Sequence, residues 1–171
     1  MRFVKLILPL MILAVFAGCG YRLAARKGDV GGGQTISVPT FANSTVSYRI
    51  EQRMSEAVRK ELARTTHYKV TSGSTGDVVV RGEVVSYGTN PTVFDDAGRA
   101  SQYAVSVAMK VLVTETSTGK VLLQNDSMPF RDSFQLSQNP SDFVLEDPAA
   151  LDRLAERFAS VIVAAIVHRQ P

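Results

Sequence analysis

Residues 102–115 read Gln-Tyr-Ala-Val-Ser-Val-Ala-Met-Lys-Val-Leu-Val-Thr-Glu. Tyr103, Val105, Val107, Met109, Val111 and Val113 occupy every second position, with Ala104, Ser106, Ala108, Lys110, Leu112 and Thr114 between them. A strand turns successive side chains to opposite faces, so this period of two predicts a long strand with one face in a core. The intervening face carries one charge, Lys110, beside Ala104, Ala108 and Leu112. A solvated sheet face would carry several charges, and so weakly polar a face suits contact with a partner.

The neighbouring segments extend this strand into a sheet. Thr116 to Gly119 has the length of a hairpin turn, and Val121 to Arg131 is the expected antiparallel partner. Upstream, Val78 to Ser86 predicts a second apolar strand. Gly88 to Ala100 contains Asn90-Pro91, Asp95-Asp96 and Gly98 and predicts a loop. Tyr68 to Thr71 and Thr35 to Pro39 are short strands, and Ser133 to Glu146 is polar and irregular.

Two segments switch to helical spacing. From about Ser47 to Thr65, Ile50, Met54, Ala57, Val58 and Leu62 form one apolar stripe, with Ser47 placed to cap the first turn and Glu56 four residues before Lys60. Asp147-Pro148 opens the second helix as cap and first helical residue. Leu151, Leu154, Ala155, Phe158, Ile162, Ala165 and Ile166 form its stripe, and His168 and Arg169 suit the negative end of its dipole. The expected fold is α+β: two helices packed on one face of a mixed, largely antiparallel β-sheet.

The amino terminus has another composition. Arg2 and Lys5 precede an apolar run, Leu6 to Phe16, about half as long as the roughly 20 residues a spanning helix needs. Phe16-Ala17-Gly18-Cys19 follows and resembles the lipobox of bacterial lipoproteins, with phenylalanine where leucine is usual. The expectation is a signal peptide over 1–18, a lipidated Cys19 with a glycine-rich tether over 19–34, and one domain over 35–171. Several acyl chains together make a stable anchor, since each buried CH₂ adds about 0.8 kcal/mol. By the same resemblance, Gly20, where an aspartate would favour the inner membrane, points to the outer membrane.

The chain has 171 residues and a net charge of +3. Removing Arg2 and Lys5 with the leader brings the 19 basic side chains to within one of the 16 acidic ones. A near-neutral domain has little electrostatic drive toward nucleic acid. Cys19 is the only cysteine, so no disulfide can form within the chain. His67 and His168 lie far apart without acidic or histidine neighbours, which argues against a zinc site. Asp95-Asp96 lacks the spacing of an EF-hand loop. The glycines at 31–33 precede a strand and are followed by no Gly-Lys-Ser/Thr, so they are no phosphate loop. These residues point to no enzyme, no cofactor and no metal.

From Cys19 onward the order of motifs resembles the lipopolysaccharide-assembly lipoprotein family LptE. The likeness runs through Cys19-Gly20-Tyr21-Arg22-Leu23, Glu56-Ala57-Val58-Arg59-Lys60-Glu61-Leu62, Thr92-Val93-Phe94, Tyr103 at the long strand, Phe130-Arg131 and Asn139-Pro140. The resemblance implies an outer-membrane lipoprotein, held by its lipid, that plugs a large β-barrel partner of the LptD kind and helps to place lipopolysaccharide. It faces the periplasm or sits in the barrel lumen. The position after Val93-Phe94, basic in the family pattern, is Asp95 here, and Arg99 is the nearest cation. Arg99, Lys110 and Arg131 are the candidates for phosphate contact.

A second resemblance comes from another class. Ser37-Val38-Pro39-Thr40-Phe41-Ala42-Asn43-Ser44 is similar to the Val-x-Pro-Phe-x-Asn opening of lipoproteins that activate cell-wall synthases or belong to secretion pores.

Overall fold

The computed structural model describes residues 34–135 and 148–168. The elements are β1 (Thr35–Ser37), β2 (Ala42–Asn43), α1 (Ile50–Thr65), β3 (Lys69–Thr71), β4 (Val78–Phe94), β5 (Ala100–Glu115), β6 (Val121–Gln135) and α2 (Pro148–His168). The six-stranded sheet has the order β3-β1-β4-β5-β6, with β2 also on β4. β1 pairs in parallel with β3 and β4, β2 pairs in parallel with β4, and β4, β5 and β6 form an antiparallel meander. The α+β design with two helices and a mixed sheet is the one the sequence predicts.

The alternation of 102–115 becomes a difference in burial. Val105, Val107, Met109, Val111 and Val113 are all 1% exposed or less, whereas Lys110 is exposed. Ile50, Met54, Val58 and Leu62 of α1 and Leu154, Phe158, Ile162 and Ile166 of α2 complete the core. Fully burying each such side chain contributes about 1.5–3 kcal/mol, and this collective term makes the helices stable on the sheet. The Phe158 ring meets Phe41 and Phe130 edge-on, at centroid distances of 6.1 and 5.5 Å. Gly82, opposite Val111, lets this cluster close: a Cβ there would stand 2.8 Å from the Phe41 ring. Gly119, at φ 68, closes the β5–β6 turn.

Four expectations are corrected. Residues 88–94 are strand: β4 runs on to Phe94. Pro91 opposes Tyr103, with register shifts on either side of Val93 and another between Val84 and Ser86. Proline lacks an N–H, which a strand tolerates where one edge is unpaired. Beyond the β2 ladder at Glu83 and Val84, β5 is the only described strand beside β4.

Ser47 does not cap α1. Arg49 holds the cap position at φ 58 without a side-chain cap bond, and the helix starts at Ile50. The buried Ser47 hydroxyl has no hydrogen-bond partner among the described residues. Glu56 does not reach Lys60; its Oε2 accepts from Arg59 Nε at 3.0 Å and Nη2 at 2.8 Å, because three residues on is also a neighbouring position on a helix. Arg59 also donates to the Val38 carbonyl at 2.8 Å, tying α1 to the end of β1. The strand expected to end at Arg131 continues to Gln135. The leader, Cys19, the tether to residue 33, Asn139-Pro140, Asp147 and Arg169 lie outside the described residues.

Candidate functional site

β4 and β5 form a long hairpin. The 17 residues of β4 extend roughly 55 Å at about 3.3 Å per residue. Its far half stands beyond the β1 and β2 ladders. Both helices cover one face of the sheet, and the other face holds the residues that alternate with the core. Gly88, Ser106 and Arg131 share one cross-strand row; Asn90, Ala104 and Ser133 form the next, and Ser86, Ala108 and Pro129 the one on the other side. Apart from Asn90 and, on the β6 edge, Arg131, this floor is built of small side chains and proline, and the Ser106 hydroxyl donates to the Gly88 carbonyl at 3.3 Å. Such a surface lets a second backbone or flat wall come close, which bulky residues would forbid.

The three candidate cations separate. Arg99 stands at the tip of the β4–β5 hairpin, and Lys110 and Arg131 lie on the open sheet face. Arg99 is consumed by the tip itself: its Nε donates to Asp95 Oδ2 at 2.9 Å, and its backbone N–H donates to Asp95 Oδ1 at 2.8 Å. The Arg99 N–H bond, helped by the guanidinium and the Ala97 N–H against a smaller opposing effect of desolvation, holds the Asp95 carboxyl below its ordinary value. With Asp96 beside it, the tip offers no excess positive charge to a phosphate. Exposed Val93 and Phe94 flank it.

Lys110 Nζ lies 3.8 Å from Asp126 Oδ1, an ion pair too long for a hydrogen bond. It also faces Glu83 across the ladder. Arg131 is exposed, and no carboxylate lies within ion-pair reach of its guanidinium among the described residues. Its backbone carbonyl accepts from Arg157 at 2.9 Å. Of the three, Arg131 keeps the most available charge, and it borders the small-residue floor.

A cleft of ≈1380 Å³ runs over the solvent side of α1 and α2. Six of its charged side chains pair with one another, Arg53 with Asp152, Arg59 with Glu56 and Arg64 with Glu61, while Arg49, Lys60 and Glu156, which also line it, form no ion pair among the described residues. Asp132 of β6 takes both Arg153 and Arg157, at 2.7 and 3.3 Å. Burial would raise the Asp132 carboxyl. The Arg153 hydrogen bond, the Ser133 N–H and the two guanidinium charges outweigh it and hold the carboxyl below its ordinary value. Arg153 and Arg157 also donate to the carbonyls of Ser133 and Arg131, so α2 occupies part of the free edge of β6. These groups pin a helix to a sheet edge and resemble no acid–base pair. His67 and His168 are exposed. Among the described residues no group of three His, Cys, Asp or Glu side chains could hold a metal, and no helix is long and apolar enough to cross a membrane.

Sequence reasoning missed two features, the strand character of 88–94 and the outward presentation of Val46 and Tyr48 in the turn before α1. The alternation of Thr89, Pro91 and Val93 was a signal for the first; nothing local signals the second.

A family model described as LptE, lipopolysaccharide assembly, matches residues 33–166. No curated protein matches the chain significantly. Among solved structures, uncharacterized lipoprotein B of Nitrosomonas europaea is similar with a TM-score of 0.54 at 7% identity, over 85% of this chain and 88% of that one. A hypothetical protein of Chlamydia trachomatis is similar with a TM-score of 0.52 at 13% identity, over 80% and 96%. A Xanthomonas campestris protein follows with a TM-score of 0.50 at 14% identity, over 80% and 86%. Identities this low show a shared fold alone.

Proposed function

We infer the function from the family: the chain belongs to the LptE lipopolysaccharide-assembly family, and we propose that it is an outer-membrane lipoprotein that plugs and supports an LptD-like β-barrel. In this reading residues 1–18 are removed, Cys19 is acylated, residues 19–34 form the tether and 35–171 the plug. The protein works as a binding partner and not as an enzyme.

The observation that supports the plug best is the open sheet face. A domain alone in water gains nothing from a broad face of Ser86, Gly88, Ala104, Ser106, Ala108 and Pro129 with few charges. A domain enclosed by a protein wall does, because small side chains allow close packing and few charges must be desolvated. Arg131, at the border of that floor, is the best placed of the three candidates to meet a lipopolysaccharide phosphate; Arg99 is bound to Asp95 and Lys110 stands between Glu83 and Asp126.

Photo-crosslinkers at Asn90, Arg99 and Asn125 in cells test the reading. Dominant adducts with a large outer-membrane barrel protein are expected. Adducts only with a cell-wall synthase would refute it and favour the role suggested by the 37–44 segment. Depletion of the protein is expected to lower folded barrel and surface lipopolysaccharide while leaving the cell wall unchanged.

A further inference from the structure

The turn that joins β2 to α1 is tightly held and yet points its apolar side chains outward. Asn43 Nδ2 donates to the Ser47 carbonyl at 2.9 Å and to Glu51 Oε2 at 2.8 Å. Asn43 Oδ1 accepts from the Thr45 N–H at 2.9 Å and the Thr45 hydroxyl at 2.7 Å. Ser44 fastens the turn to β4: its N–H donates to the Val84 carbonyl at 3.0 Å and its hydroxyl to Glu83 Oε1 at 2.6 Å. The turn ends at Arg49 in the left-handed region, φ 58, the one such non-glycine residue among those described. That conformation is costly for a side chain with a Cβ and persists where its surroundings over-determine it.

Out of this frame stand Val46, 101% exposed, and Tyr48, 80% exposed. The Arg49 guanidinium sits over the Tyr48 ring, 5.0 Å from its centroid. No carboxylate lies within ion-pair reach of Arg49 among the described residues. The core uses neither Val46 nor Tyr48, so packing of the domain does not explain them. Exposed tyrosine and arginine on a preorganised backbone are the residue types that anchor protein interfaces, because little side-chain freedom remains to be lost on binding.

We propose that residues 46–49 form a docking knuckle for the barrel partner: Val46 and Tyr48 enter an apolar pocket of that protein, and Arg49 meets a carboxylate at the pocket rim. This rests on the barrel-partner reading. The commitment to a protein follows from residue type and geometry: one tyrosine on a held turn, with an arginine over its ring that has no carboxylate within ion-pair reach among the described residues. A membrane surface would instead draw a wider basic and apolar face.

The test uses the full-length protein in cells, with a photo-crosslinker at Val46 and, in a parallel strain, at Asn125. The expected result is an adduct with the barrel protein from both positions. An adduct from Asn125 alone overturns the knuckle and leaves the barrel reading standing. Failure at both positions overturns both. A Val46 adduct carrying phospholipid or lipopolysaccharide in place of the barrel protein also overturns the knuckle. In the same cells, Val46→Ser/Tyr48→Ala is expected to lower the barrel protein that co-purifies at least tenfold without changing the melting temperature. Arg49→Gly accommodates the left-handed backbone and removes the guanidinium together with its stacking on Tyr48, and Arg49→Glu, which adds a negative charge, is expected to lose more capture than Arg49→Gly. Unchanged capture in all three variants refutes the inference.

Discussion

Val107→Asp against Ser106→Asp puts adjacent residues of one strand to opposite uses. Val107 is 1% exposed and lies in a cross-strand row between Tyr87 and Phe130. Replacing it removes a buried valine, a loss of about 1.5–3 kcal/mol. The carboxylate has no cation across either ladder, and an uncompensated buried charge costs about 3–5 kcal/mol more. Together these are comparable with the whole stability of a domain, about 5–15 kcal/mol. Ser106 is half-buried on the opposite face, and its cross-strand neighbour is Arg131. Ser106→Asp gives up the long bond to the Gly88 carbonyl and gains an opposite-charge cross-strand pair of about 0.2–1 kcal/mol, so it is close to neutral. Urea melts followed by circular dichroism at pH 7 are the assay: Val107→Asp unfolds with little or no denaturant, and Ser106→Asp keeps its midpoint. A carboxyl forced into the core has a raised folded-state pKa. The Val107→Asp penalty therefore grows as pH rises above the unfolded value and shrinks in acid. Equal midpoints for the two variants, or an alkaline rescue of Val107→Asp, would refute the assigned faces.

Other changes probe separate parts of the molecule. Asp132→Asn removes the negative charge shared by Arg153 and Arg157, and one of its two acceptor oxygens, and is expected to cost about 1 kcal/mol, since both arginines are half exposed and screened. Its folded-state pKa is depressed, so this contribution is present above the ordinary value of 3.8 and disappears as pH falls through the lower folded value; wild-type and variant urea midpoints should converge there. Gly82→Val drives a side chain into the Phe41 ring, which a Cβ alone would approach to 2.8 Å, and should destabilise by about 1–3 kcal/mol in thermal melts. Cys19→Ala should leave an unlipidated precursor, and intact-mass analysis of wild-type protein from membranes should show added acyl mass on Cys19.

The sequence by itself determined which faces meet. The period of two over 102–115 and the stripes at Ile50-Met54-Val58-Leu62 and Leu154-Phe158-Ile162-Ile166 need no tertiary information, because burial of one face is a local, periodic demand. Pro148 at the start of α2 is equally local. Tertiary structure decided what depends on a neighbour. Asn90-Pro91 carries a loop signal, yet it remains strand because β5 pairs it on one side while its other edge asks for no proline N–H. Arg99, Lys110 and Arg131 look equivalent as cations in the sequence. Folding sets Asp95 against the first and Asp126 near the second, and leaves the third beside a floor of small residues drawn from three strands. The turn at 43–49 shows the same limit: its residues have the composition of any polar link, and only the bonds of Asn43 and Ser44 to α1 and β4 make it hold Val46 and Tyr48 outward. Periodicity reports which side of an element is apolar; charge matching and exposure are properties of pairs brought together from distant positions, and no single segment contains them.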